Sequence, residues 1–201
     1  MKKFVIALVA CLALGASAFA KSSDGFSVGY TYGIFTYQNN GNKYSQAGSG
    51  IYLDNFTSLN KFFGMGFHAY LDFPECEKKN GNKNSSSSAH FFTLGCTLMP
   101  ALNLPIGDFL DIRVGAGIGF MIVNENYRLA GEKINFNYYM LTIPVGVAAQ
   151  FKFGSFFGLK VGCDVQFEIK GWYHETLLDT EGDFNKKGLF VNPYVAFTIL
   201  Y

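Results

Sequence analysis

Charged and amide side chains in this chain recur at a spacing of two. Asp111 and Arg113 stand two apart, and Lys160, Asp164, Gln166 and Glu168 share one parity. Gln150, Asp72 and His68 occupy comparable places in other stretches. Side chains two apart in a strand lie on one face, so these residues would form polar stripes carrying both signs of charge. Such stripes suit two chemistries. They can fill an interior with ion pairs and hydrogen bonds, or they can line a narrow path for small solutes, gated by Asp111, Arg113, Lys160 and Asp164. Both readings stand on sequence alone.

Catalysis is a poorer fit. His174 with Glu175 or Asp179, and His90 beside Ser85–Ser88, bring together the residue types of a nucleophile and its base. That chemistry needs a hydrogen-bonded geometry on a rigid support, which a serine-rich tract does not offer. The three histidines are scattered, and Cys76, Cys96 and Cys163 match no metal-ligand spacing. An odd number of cysteines after the leader also argues against a closed disulfide framework. The expectation is no catalytic residue, no metal and no cofactor.

The elements that position the stripes are strands. In 108–123, Leu110, Ile112, Val114, Ala116, Ile118, Phe120 and Ile122 oppose Asp111, Arg113, Gly115, Gly117, Gly119 and Met121. Strict alternation of this kind predicts a strand with one apolar face. The segment 157–170 repeats it, with Phe157, Leu159, Val161, Cys163, Val165, Phe167 and Ile169 opposite the polar set. A third case is 138–151. Shorter alternating stretches begin at Phe26, Phe63, Phe92 and Val191, and the faintest, 47–56, shows only Ile51 and Leu53 on its apolar face. Eight strands result. Pro144 and Pro193 cannot donate to a sheet ladder and are expected near strand ends or at bulges.

Connections alternate in length. Those at 57–61, 103–107 and 152–155 are short; those at 38–46, 74–89, 124–137 and 171–188 are long and polar. The low-complexity part of the second, 75–88, is expected to be mobile because it has little to bury.

Composition narrows the setting. Charged residues are 15% of the 201, against roughly 25% in an ordinary soluble domain, while aromatic residues reach 17%. Lys2 and Lys3, an apolar run over 4–14, and Ala18-Phe19-Ala20 together form an export leader with its cleavage site. The expected division is a signal peptide over 1–20 and one domain over 21–201, with the mature chain starting at Lys21. A lipid-anchored start at Cys11 is the weaker alternative, because it leaves too short an apolar region. Loss of Lys2 and Lys3 leaves 14 basic against 15 acidic residues, so no basic surplus is left for a nucleic-acid or polyanion partner.

Beyond the leader no apolar run reaches the ~18–20 residues of a membrane helix, yet the apolar faces are continuous and the other faces polar and small. Every backbone group must be satisfied in lipid, so only a closed sheet can span with such strands. An even strand count with alternating short turns and long loops is the outer-membrane pattern. Aromatic residues also gather at two levels, as membrane interfaces require. Phe63, Phe109, Phe151, Phe153, Phe156, Phe157 and Tyr201 lie near the short turns; Tyr37, Phe73, Phe92, Phe120, Tyr139, Phe167, Trp172 and Tyr173 lie toward the long loops.

On these features the chain resembles the small eight-stranded outer-membrane β-barrels of the OmpA-transmembrane, OmpX and OmpW type. The most specific match is the last strand, where Val195, Phe197, Ile199 and a terminal Tyr201 resemble the signal read by the barrel-assembly machinery. The usual last residue is Phe. The resemblance implies an all-β, eight-stranded antiparallel up-and-down transmembrane barrel in the outer membrane of a diderm bacterium. It further implies a non-enzymatic envelope protein, structural or adhesive through external loops, or passing small solutes. Its partners would be membrane lipid, the assembly machinery, and small solutes or host or envelope surface ligands. The competing class is a soluble periplasmic lipocalin-like barrel holding a small apolar ligand, which would turn its apolar face inward.

Overall fold

The computed structural model describes residues 24–39, 41–83, 90–129, 132–175, 180–184 and 187–201. The proposed leader and the Lys21 start lie outside them. Eleven strand segments follow in order: β1 (Gly25–Asn39), β2 (Asn42–Ser58), β3 (Phe63–Lys79), β4 (Asn82–Lys83), β5 (His90–Ile106), β6 (Leu110–Ala116), β7 (Ile118–Leu129), β8 (Glu132–Phe153), β9 (Phe157–Glu175), β10 (Thr180–Phe184) and β11 (Leu189–Leu200). They make eight staves, since β6 and β7 share one line, β10 and β11 another, and β4 is a short extension beside β3.

All pairings are antiparallel, and sequence neighbours pair with one another. The ladder also returns on itself. β1 pairs with β2 on one side and with β11 on the other, from Gly25↔Leu200 to Thr36↔Leu189. A ring of this kind leaves no stave with an unpaired edge, which is what a sheet in lipid requires.

The two faces are inverted relative to a soluble protein. Val114, Ile118, Val145, Val161, Val195 and Phe197 are exposed, while Asp54, Asp111, Gln150, Lys160, Asp164 and Gln166 are buried to 1% or less. A lipocalin-like barrel would show the reverse. Glycine on the inner face makes room for rings lying across it. A Cβ at Gly162 would come within 2.4 Å of the Tyr194 hydroxyl, and one at Gly95 within 2.1 Å of that of Tyr70.

The stave expected as one strand over 108–123 is interrupted at Gly117. The cause lies in its neighbours. Gly117 N–H donates to the Pro144 carbonyl at 3.0 Å, and Pro144 has no N–H to return. Continuing the β5–β6 register places Pro100 opposite Ala116, so that side lacks a donor as well. Pro144 therefore lies well inside β8 and Pro193 inside β11, paired with Cys163, rather than at strand ends.

The long polar connections are also shorter than expected. β1 and β2 stay paired to Asn39↔Asn42, and β7 and β8 to Leu129↔Glu132. Strand pairing also continues through much of the stretch expected to be mobile, with β3 reaching Lys79 and β4 folding back on it. Asn80 and Gly81, both at positive φ, make that turn, the conformation an Asn-Gly hairpin favours. The polar sequence there builds ordered ribbons that continue the barrel wall; residues 84–89 lie outside the described set.

A ring of paired staves should resist dissolution by SDS until heated. Refolded chain 21–201 should run at a different gel position unheated than boiled. Identical mobility, with solubility in the absence of detergent, would contradict the membrane assignment.

Candidate functional site

The inner face is built in tiers. Nearest the short turns, Asp111 pairs with Lys152 at 2.8 Å and lies 3.9 Å from Arg113. Arg113 donates from Nε to Asn103 Oδ1 at 3.3 Å, and its guanidinium lies 3.8 Å over the Phe56 ring. Asp24 closes this end by accepting the Ser58 N–H at 2.6 Å.

The middle tier holds the densest charge. Lys160 Nζ meets Asp54 Oδ2 at 2.7 Å. His68 lies between two carboxylates, Nε2 at 3.0 Å from Asp54 and Nδ1 at 2.7 Å from Asp164. Ser27 donates to Asp54 at 3.1 Å and stands 2.9 Å from Thr198. Tyr52 and Tyr194 stack above, centroids 3.9 Å apart. Five staves contribute these groups, so the tier ties opposite walls together.

Farther out, Thr142 donates to Gln166 at 2.9 Å and Gln166 to the Tyr70 hydroxyl at 2.8 Å, while Tyr70 stacks on Phe190. The outermost tier joins Tyr37 to Glu77 at 2.6 Å and Gln46 to Glu125. Burial, with the carboxylates of Glu125 and Glu77 nearby, holds the Tyr37 phenol well above the usual tyrosine range. The rings and ion pairs leave little space. The void among Met99, Arg113, Gly146, Lys160 and Asp164 is about 20 Å³, room for one water.

Asp111, Arg113, Lys160, Asp164 and Gln166 thus all face inward, as do Gln150, Asp72 and His68. Arg113, Lys160 and Asp164 border one small void and Arg113 lies 3.9 Å from Asp111, but the shortest ion pairs of the expected group run to residues outside it. Asp111 bonds Lys152, Lys160 bonds Asp54, and Asp164 bonds His68. Glu168 departs further: it is half-buried and accepts the Gly188 N–H at 2.6 Å, beside the register shift at Leu141/Thr142. Sequence reasoning missed Asp54 and Lys152. Ile51 and Leu53 on the outer face already imply that Tyr52 and Asp54 point in; Lys152 was placed in a turn.

Cys96 and Cys163 lie on the outer face and are partly exposed, where the alternation places them. Phe62, Phe63, Phe109, Phe153, Phe156 and Phe157 ring the short-turn end. Phe120, Tyr139 and Trp172 form a cross-strand group toward the other end, with centroids 6.0–6.4 Å apart. Tyr37 and Tyr173 are exceptions among the expected girdle residues: Tyr37 points into the lumen, and Tyr173, beside the outward Trp172 and paired with the buried Tyr138, packs against the inner cluster. Of the catalytic candidates, Asp179 and Ser85–Ser88 lie outside the described residues, as does the His90 side chain; Glu175 accepts from Thr180 at 3.4 Å.

Residues 6–162 match the family model of the outer membrane protein beta-barrel domain. The chain belongs to that family. It is an outer-membrane β-barrel protein, and both the family and the inverted faces favour that over a soluble lipocalin-like barrel. Solved structures share the fold at low identity. The Neisserial surface protein A is 10% identical, with a TM-score of 0.57, covering 88% of this chain and 97% of its own. Ail, the attachment invasion locus protein of Yersinia pestis, is 11% identical at 0.55, covering 88% and 96%. OprG of Pseudomonas aeruginosa is 9% identical at 0.56, covering 90% and 95%. No curated protein matches this barrel in sequence.

Proposed function

We propose that this barrel is a non-enzymatic envelope protein whose work is done outside the membrane, by its ordered external ribbons, and that its lumen is a structural plug. The observation that carries this is the filled interior. Tiers of paired charge and stacked rings cross the lumen from Asp111–Lys152 to Tyr37–Glu77, and the void beside the middle tier, among Met99, Arg113, Gly146, Lys160 and Asp164, holds about one water. A gate of Asp111, Arg113, Lys160 and Asp164, with Gln166 and Glu168 beyond it, would need these pairs to part. Each carboxylate would then lose a partner where water is scarce, which is costly.

The external ribbons supply the alternative surface. The β1–β2 tip is bound to the β3–β4 tip, Asn80 N–H donating to the Lys43 carbonyl at 2.7 Å and Lys43 N–H to Asn80 Oδ1 at 2.9 Å. Two hairpins so joined present a rigid surface, suited to adhesion or to an envelope partner. Similarity to Ail, an attachment invasion locus protein, supports the same reading. The exposed Val195, Phe197, Ile199 and Tyr201 of the last stave serve as the recognition signal for the barrel-assembly machinery.

Planar-bilayer recording tests the plug. Refolded protein should give no discrete conductance steps above the leak of the lipid. Reproducible unitary steps would overturn the plug and restore passage of small solutes as the function.

A further inference from the structure

Charge on the external ribbons is sorted by face. Glu77 points into the lumen at 2% exposure, bonded to Tyr37, so its neighbour Lys78 points outward. Lys83 is directly paired with Lys78 and shares its face. Tyr44 stacks on the lumen ring Tyr37, centroids 5.0 Å apart, so Lys43 beside it also turns outward. All three lysines are exposed. Like charges directly opposite in a ladder repel, yet Lys78 and Lys83 are held so by the Asn80-Gly81 turn and by its bonds to Asn42 and Lys43. Lys187 adds to the region, bordering with Lys43 one recess of about 270 Å³. Glu75, the extra residue at the β3 register shift, is the exposed acid on this part of β3.

The position of the face decides the kind of partner. Phe73, 52% exposed on the same outward side of β3, belongs to the outer aromatic level. The lysines follow a few residues beyond it on the same side, where the wall leaves the hydrocarbon and meets the headgroups. We propose that Lys43, Lys78 and Lys83 bind phosphate groups of outer-leaflet lipid, anchoring the β2–β3–β4 side of the barrel in the headgroup layer. The apolar wall below and the cationic strip above then form one continuous lipid-binding surface. This assignment stands apart from the adhesive reading, since it needs only the membrane orientation.

The test uses the refolded barrel in dodecyl maltoside, incubated with bisphosphorylated lipid A or with phosphatidylcholine and separated by size exclusion. Phosphorus retained per barrel is the readout. Each lysine near an anionic surface is worth roughly a five-fold factor at low salt. Lys43→Gln/Lys78→Gln/Lys83→Gln should therefore retain lipid A at least about ten-fold less well. The triple Arg variant, and Lys61→Gln at the short-turn end, should retain it like the wild type. Retention by the wild type should also fall steeply between low and high salt. Equal retention by the triple Gln variant, or salt-insensitive retention by the wild type, would overturn the proposal. Loss of binding to a heparin column with lipid A retention unchanged would overturn it too, and would point to a soluble polyanion.

Discussion

Lys160→Met should cost the folded barrel about 3–5 kcal/mol, the range for removing one partner of a buried ion pair. Lys160 is 1% exposed and its ammonium lies 2.7 Å from Asp54. Methionine matches its length but not its charge, so packing would change little. The loss arises because Asp54 loses its 2.7 Å ammonium partner and keeps as its direct ion-pair contact His68, which Asp164 also holds, at 3.0 and 2.7 Å. Adding Asp54→Asn should recover part of the loss, because no unpaired carboxylate then remains opposite the methionine. A double-mutant cycle by urea unfolding of the refolded protein should return a coupling of roughly 0.5–3 kcal/mol. Arg113→Met should cost less, because Asp111 keeps Lys152 at 2.8 Å. A loss below about 1 kcal/mol for Lys160→Met, short of the range for a broken buried pair, would mean that water reaches the middle tier. The plug reading would then fail with it.

How much of this could be read from the chain follows from what period two encodes. Alternation reports which side of a strand a residue takes, so Asp111, Arg113, Lys160, Asp164 and Gln166 could be turned inward without coordinates. It does not report which stave stands opposite, and ion pairs across a lumen depend on that. Asp54 is the case in point. It pairs with a lysine over one hundred residues away, on a stave whose small residues, Gly48 and Gly50, hide the pattern. Local rules also misjudged where strands stop. Polar, serine- and asparagine-rich sequence reads as loop, but in a hairpin the ladder continues as long as the partner does, and here Tyr37, Tyr44 and Glu77 give the ribbons an interior of their own. The break at Gly117 went the other way. Its own stretch alternates without fault, and the two prolines that interrupt it belong to neighbouring staves. Net charge is uninformative about the rim for a related reason: the barrel turns Glu77, Glu125 and Glu175 inward, so the balance of the whole chain does not report the charge at its outer end.

Val161→Arg should destabilise the barrel in vesicles by about 2–4 kcal/mol, the cost of a cation on the lipid face at the bilayer midplane. Val161 is 44% exposed and lies in β9 between Ala149 of β8 and Val195 of β11. It is four residues from Phe157 at the short-turn girdle, and Phe167 and Trp172 lie beyond it toward the other interface. The same substitution at Phe157 should cost only about 0–1 kcal/mol, because the guanidinium there reaches the headgroups. The pair is more informative than either alone. Lost apolar contact would penalise Phe157→Arg more, since the larger side chain is removed, whereas a lipid slab penalises the mid-strand site more. Urea unfolding of both variants in phosphatidylcholine vesicles separates the two. A greater loss at Phe157 than at Val161 would mean that depth in a membrane does not govern this face. A loss near zero at both sites would mean that it meets water.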